Sequence, residues 1–472
     1  MPNPSDNSKI KKRIGHPMFP HIKQQHMAKL YNQLNVHNPE RMDDSKKYTK
    51  SLGDLPDNAS RDQLIMDTGS VPSDAGCAPI YTPSTTPLVV SDTPPALVSS
   101  TPVLVTAQPP PPPQKHVFTL CIDGGGMRGI MPAIWLLVLK EEFEKRGIMD
   151  PLSQIFDIIG GTSIGAIISL GVGHNIHPTD LIDLFNKNGA KIFSRTFCRM
   201  MTNLLPIFKP KYTAENLYDV LHEKFGDLKM KDLQGKVVIT SCTRDGKPKI
   251  FTNINTSGNQ DDPIFAHEND FLIKDVARCT SAAPVFFPPQ DMLIKKIKED
   301  GAQKEIVEKT VSYIDGGIWI NNPAGVVATM AVTQIHKRVF SPDKIHILSL
   351  GTGDSTTTIS DMPAFKDIVA IVDITMSSNS RGVDNSLTEL FQQNYTRINP
   401  PLVESIKLDS ANTKALKKLH QLAGCEYLPG KDGKKSWQFD RESPQGKEIY
   451  LKISKFVETY CNIKKSEQQL QD

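Results

Sequence analysis

VFTLCIDGGGMRG, Val117 to Gly129, passes from an apolar run rich in β-branched and aromatic residues into a cluster of glycines. An uninterrupted apolar run of that length fits a strand covered on both faces, as in a parallel sheet, better than a strand with one wet face. The pattern then repeats. A helical apolar spacing runs from Gly129 to Arg146, IFDIIG (155–160) reads as a second buried strand, and after a second glycine turn another apolar helix starts at Ile164. Strand, turn and helix in that alternation specify a mostly parallel sheet crossed by helices, so the fold class is α/β. Further strands are expected at 236–241, 249–253, 310–314 and 344–350, and helices at 178–187, 214–225 and 322–336. The charged block Ile294 to Lys309 reads as a solvated surface insertion between two apolar runs.

Upstream of this strand the chain changes character. Residues 1–115 are polar, then rich in Pro, Ser and Thr, and end in the proline run Pro109 to Pro113. Such a segment buries too little apolar surface to offset its ordering entropy and is expected to be a disordered extension. Within it, His21 to Leu34 has the spacing of a short amphipathic helix, while Lys11-Lys12-Arg13 and the prolines suit an acidic membrane or a proline-binding regulatory partner. Residues 116–355 then form the folded domain, and 356–472 a mostly helical C-terminal region packed on it.

With 472 residues there is ample chain for a large core. The net charge of +3 gives no reason to expect nucleic acid, and seven scattered cysteines without a CxxC pair argue against a disulfide framework or a zinc site. No stretch has the apolar core of a secretory signal or the length of a membrane span. The expectation is therefore a cytoplasmic or peripheral membrane protein.

Two motifs in the domain carry chemistry. Gly161-Thr162-Ser163-Ile164-Gly165 is a GxSxG sequence entered by an apolar strand and left by an apolar helix, the context of a nucleophile elbow that lifts a serine hydroxyl to a helix N-terminus. Asp123 to Gly129 also joins a strand to a helix, so its successive amides form an anion cradle fit for the oxyanion of acyl transfer. Gly124, Gly126 and Gly129 equally satisfy GxGxxG for a dinucleotide, but that reading needs a carboxylate at the end of the second strand, where Ile159-Gly160 stands. A base for Ser163 is offered by Asp315, at the end of the apolar run before Gly316-Gly317.

The motifs DGGGMRG, GTSIG and DGG, each after a strand and in this order, resemble the three defining motifs of the patatin-like phospholipase family. Ala277 to Pro284 (ARCTSAAP), Phe287-Pro288-Pro289 and Ser349 to Gly353 (SLGTG) agree with it. The resemblance covers about Val117 to Gly353 and implies a three-layer patatin-like sandwich. It also implies a serine carboxylic-ester hydrolase acting on phospholipid or other acyl-lipid through a Ser-Asp dyad, without a cofactor or metal. It assigns Ser163 as nucleophile, Asp315 as base, and Gly124, Gly125, Gly126, Met127 and Arg128 as the oxyanion loop. Gly317 stands where many members carry alanine.

Two other readings remain open from the sequence. One is a Ser-Asp-His triad using His336, His346 or His420; the other is a binding protein on a vestigial hydrolase fold. Arg128 reads as a structural cation tying its loop to neighbouring carbonyls rather than as a phosphate ligand. Peripheral membrane contact is expected through FSRTFCRMMTNLLPIFKPKY (193–212), where apolar and aromatic residues alternate with cations and acidic residues are absent.

Overall fold

The computed structural model describes residues 115–194, 210–259, 261–300, 303–335, 341–355, 367–402, 406–429 and 435–470. The expected extension with its helix and proline run, the segment 195–209 and His336 lie outside these residues.

The opening run forms β1 (Val117–Ile122), buried at every position, and IIGGT forms β2 (Ile158–Thr162). The other strands of the sheet are β3 (Val237–Thr243), β4 (Pro248–Thr252), β5 (Gln290–Asp300), β6 (Gln303–Asp315), β7 (Ile345–Leu350) and β8 (Tyr395–Ile398). Their order is β5-β6-β3-β2-β1-β7-β8, with β4 also paired to β3. From β3 through β8 all neighbours are parallel, and β4, β5 and β6 join antiparallel.

Alternation along β1 divides the core. Phe118, Leu120 and Ile122 enter the larger cluster, with the helices Ile130–Lys145, Ile164–Gly173 and Pro444–Gln469; Val117 and Cys121 enter the smaller one, with the helix Ala324–Met330. Helices therefore cover both faces, giving three layers, and the covering explains why the central strands β1, β2 and β7 are buried at every position.

Three parts differ from the sequence reading. The charged block forms most of the β5–β6 hairpin, with Lys295 opposite Glu308, Lys298 opposite Glu305 and Ile297 opposite Ile306. The C-terminal region also supplies a strand, since β8 (YTRI) extends the parallel sheet beside β7. A second hairpin, β9 (Cys425–Pro429) with β10 (Lys435–Phe439), is antiparallel and separate. Among the described residues no helix is long and apolar enough to cross a membrane.

Candidate active site

Strand β3 brings the two sequence motifs together. Thr162, the last residue of β2, pairs with Thr240, and Asp315, the last of β6, pairs with the next residue, Ser241. Two stretches more than 150 residues apart thus end side by side on one template strand. Ser163 follows directly, with φ 54° and ψ −125°, a left-handed conformation that costs a non-glycine residue about 1–2 kcal/mol. The turn closes only because its flanks lack side chains: a Cβ on Gly165 would stand 2.3 Å from the Ile122 carbonyl oxygen.

The hydroxyl of Ser163 donates to Asp315 Oδ2 at 2.5 Å. Asp315 is wholly buried and Ser163 nearly so. Burial drives the Asp315 carboxyl up to about 7, against the Ser163 hydroxyl, the Gly317 amide (2.8 Å to Oδ1) and the charge of Arg278, all of which favour the anion. Arg278 is itself fully buried on the helix Ile273–Thr280 and donates to the Pro288 carbonyl oxygen at 3.0 Å.

A clamp absent from the sequence reading fixes the elbow. The Ser163 amide donates to Thr280 Oγ1 at 2.8 Å, and the same hydroxyl donates to the Thr240 carbonyl oxygen at 2.6 Å. Thr280 lies within the ARCTSAAP motif, but only the fold reveals its partner. Thr280→Val leaves the Ser163 amide buried and unpaired, a cost of about 1–3 kcal/mol. We expect a fall of about tenfold or more in kcat/KM for a soluble ester, and near-complete recovery in Thr280→Ser. Wild-type activity in the valine variant would refute the clamp.

The glycine loop lies over Ser163 and divides its amides between two fates. Gly124 N–H donates to the Asn321 carbonyl oxygen, Met127 N–H to Leu408 and Arg128 N–H to Gly125. Among the described residues the amides of Gly125 and Gly126 donate to no protein group, and both residues line the cleft that holds Ser163 and Asp315. Arg128 faces away from that cleft: its Nε donates to the Ile406 carbonyl oxygen at 2.9 Å and its Nη2 to Asp373 at 2.6 Å. Asp123 accepts from Nη1 and Nη2 of Arg397, at 2.9 and 2.6 Å, and from the Ser380 hydroxyl at 2.8 Å.

The cleft is walled by apolar side chains, among them Ile164, Ile167, Leu184, Phe185, Ile192, Phe193, Phe286, Phe287, Met376 and Leu408. Among the described residues that line it, the polar groups are Ser163, Asp315, Ser281 and the glycine amides. No described histidine lines it. His346 sits at the start of β7, stacked on Phe118 and bonded to His116 at 2.9 Å, and His420 stacks on Trp437.

A family model described as patatin-like phospholipase matches residues 120–328. Patatin-01 of Solanum tuberosum is 27% identical over 330 residues, spanning 64% of this chain and 79% of its own length. Patatin-like protein 1 of Oryza sativa subsp. indica is 28% identical over 326 residues, spanning 61% and 74%. The crystal structure of VipD from Legionella pneumophila gives a TM-score of 0.27 at 11% identity over 65% of this chain and 75% of that one, too low a score to support any argument. The matched residues contain all three motifs, and over them the chain is similar to the patatin-like phospholipases.

Proposed function

We propose that the protein cleaves fatty-acyl esters of phospholipid or a related acyl-lipid through an acyl-enzyme on Ser163, with Asp315 as the sole proton carrier. The observation that carries this reading is the 2.5 Å contact from Ser163 Oγ to a buried carboxylate at the head of an apolar cleft. Asp315 takes the Ser163 proton as Oγ bonds to the ester carbon. The carbonyl oxygen gains the electron pair and faces the Gly125 and Gly126 amides. Collapse breaks the bond to the alcohol, which leaves with the proton from Asp315. Water then gives a proton to the same carboxylate, its oxygen attacks the acyl carbon, Oγ departs and recovers the proton, and the fatty acid is released. A carboxyl near 7 suits both directions of transfer at neutral pH.

Incubation of the full chain with a mixed phospholipid and galactolipid extract, followed by mass spectrometry, tests the substrate class. Free fatty acid and lysolipid should accumulate in amounts absent from a Ser163→Ala control. Equal products from both proteins, or none from either, would contradict it and favour a binding role.

A further inference from the structure

A second, smaller pocket shares Gly125, Met376 and Leu408 with the apolar cleft, yet its own walls are polar, formed by Asp123, Asp354, Asp373, Ser377, Ser380 and Asn321. Each carboxylate there already holds a cation: Asp123 pairs with Arg397 at 2.6 Å, Asp354 with Arg381 at 2.8 Å and Asp373 with Arg128 at 2.6 Å. The chamber therefore offers hydrogen bonds without unbalanced charge, an environment for water rather than for an ion.

One group in its wall is left over. The amide N–H of Asn321 donates to Asn379 Oδ1 at 2.8 Å, its carbonyl oxygen accepts from Gly124 at 3.2 Å, and its Nδ2 donates to the Gly124 oxygen at 3.3 Å. Its Oδ1 has no partner, although the residue is only 5% exposed. The Gly124 carbonyl fixes the orientation of the amide, because the flipped form would set two oxygens against each other. A buried acceptor left in that state costs about 1–3 kcal/mol and is ordinarily met by water.

The place of this atom matters. The position of a Cβ on Gly124 is 2.4 Å from Asn321 Oδ1 and 3.2 Å from Ser163 Cβ, and that of a Cβ on Gly317 is 3.2 Å from both Asn321 Oδ1 and Asp315 Oδ1. The orphan acceptor thus lies near the dyad, on a residue that lines the polar chamber.

We infer that Asn321 Oδ1 holds the water that hydrolyses the acyl-enzyme, and that this water arrives from the polar chamber rather than along the apolar cleft. The inference rests on the acyl-enzyme reading above. An acyl chain lying against Phe185, Phe286 and Phe287 excludes water from the cleft, so a second entrance is needed while the ester persists. The water gives one hydrogen bond to Asn321 Oδ1 and its reacting proton to Asp315. Its oxygen bonds to the acyl carbon, the bond from that carbon to Ser163 Oγ breaks, and Asp315 returns the proton to Oγ. Asn321 is in this scheme a positioning residue.

The test uses the full chain with p-nitrophenyl butyrate, followed by stopped-flow and by rapid-quench intact mass. Asn321→Ala removes the acceptor; Ser377→Met narrows the chamber and leaves Asn321 in place, which guards against a loop disturbed by loss of the Nδ2 bond. Both variants should slow steady-state turnover about tenfold while the first-turnover release of p-nitrophenolate falls far less, so that a butyryl adduct accumulates on Ser163. An equal loss of first and later turnovers in both variants, or wild-type turnover in both, would overturn the inference. Absence of any butyryl-Ser163 in wild type and variants alike would remove the acyl-enzyme itself, and acyl-Ser163 in the wild type beside unaffected variants removes the water site alone.

Discussion

Ser163→Ala and Asp315→Asn should each lower kcat for a soluble ester by about 10⁴-fold or more, and the double variant should be little worse than either single one. Nucleophile and base act as one unit, so the second loss has little left to remove. The titration of Asp315 adds a second signature. Its carboxyl rises to about 7 by burial, and only the anion accepts the serine proton, so wild-type kcat/KM should fall tenfold per unit below about pH 7 and level off above it. Stability moves in the opposite sense. The folded state holds the Asp315 proton over a range where the unfolded chain, near 3.8, has lost it, so this residue costs stability progressively as pH climbs from about 4 to about 7. Asp315→Asn should therefore raise Tm at pH 8 and do so much less at pH 4. An additive double variant, or activity flat from pH 5 to 8, would contradict the dyad.

Gly125→Ala carries the next largest effect. A Cβ at that position would stand 2.2 Å from Thr352 Oγ1 and 2.5 Å from Thr352 Cβ, so one side must move. Thr352 has little freedom to yield, being buried and donating to the Gly124 carbonyl oxygen at 2.6 Å. In the proposed mechanism, displacement of the loop withdraws the Gly125 and Gly126 amides from the developing oxyanion, where each donor contributes about 3 kcal/mol. We expect kcat to fall at least about 10²-fold with KM little changed. Gly382→Ala, which meets nothing within 4 Å, should be silent. A Gly125→Ala variant with wild-type kcat would show that the oxyanion is held elsewhere.

The legible and illegible parts of this protein divide by the range of the interactions that make them. The strand–turn–helix units around Gly124 and Ser163 are built from neighbours in the chain, so apolar runs and glycines announce them. The β5–β6 hairpin was hidden because its pattern is cross-strand: Lys295 with Glu308 and Ile297 with Ile306 look like scattered charge when read along one strand. β8 was hidden by brevity, four residues including Thr396 and Arg397. In the site, Ser163, Asp315 and the glycine loop were readable as motifs. Of the residues that hold them, Thr280 and Thr352 lie in quoted motifs while Asn379 and Arg397 do not, and the partner of each emerges only from the fold. Arg397, 274 positions from Asp123, is the extreme case.

The central claim is that Ser163 is the nucleophile and Asp315 its base, and covalent capture addresses it most directly. The full chain would be treated with a long-chain fluorophosphonate between pH 5 and 9, and the adduct located by intact mass and peptide mapping. The account predicts one phosphonyl group per chain, on Ser163, at a rate that climbs with pH through about 7 and collapses in Asp315→Asn. An adduct on another residue, or labelling of Ser163 at the same rate with Asp315 replaced, would contradict it.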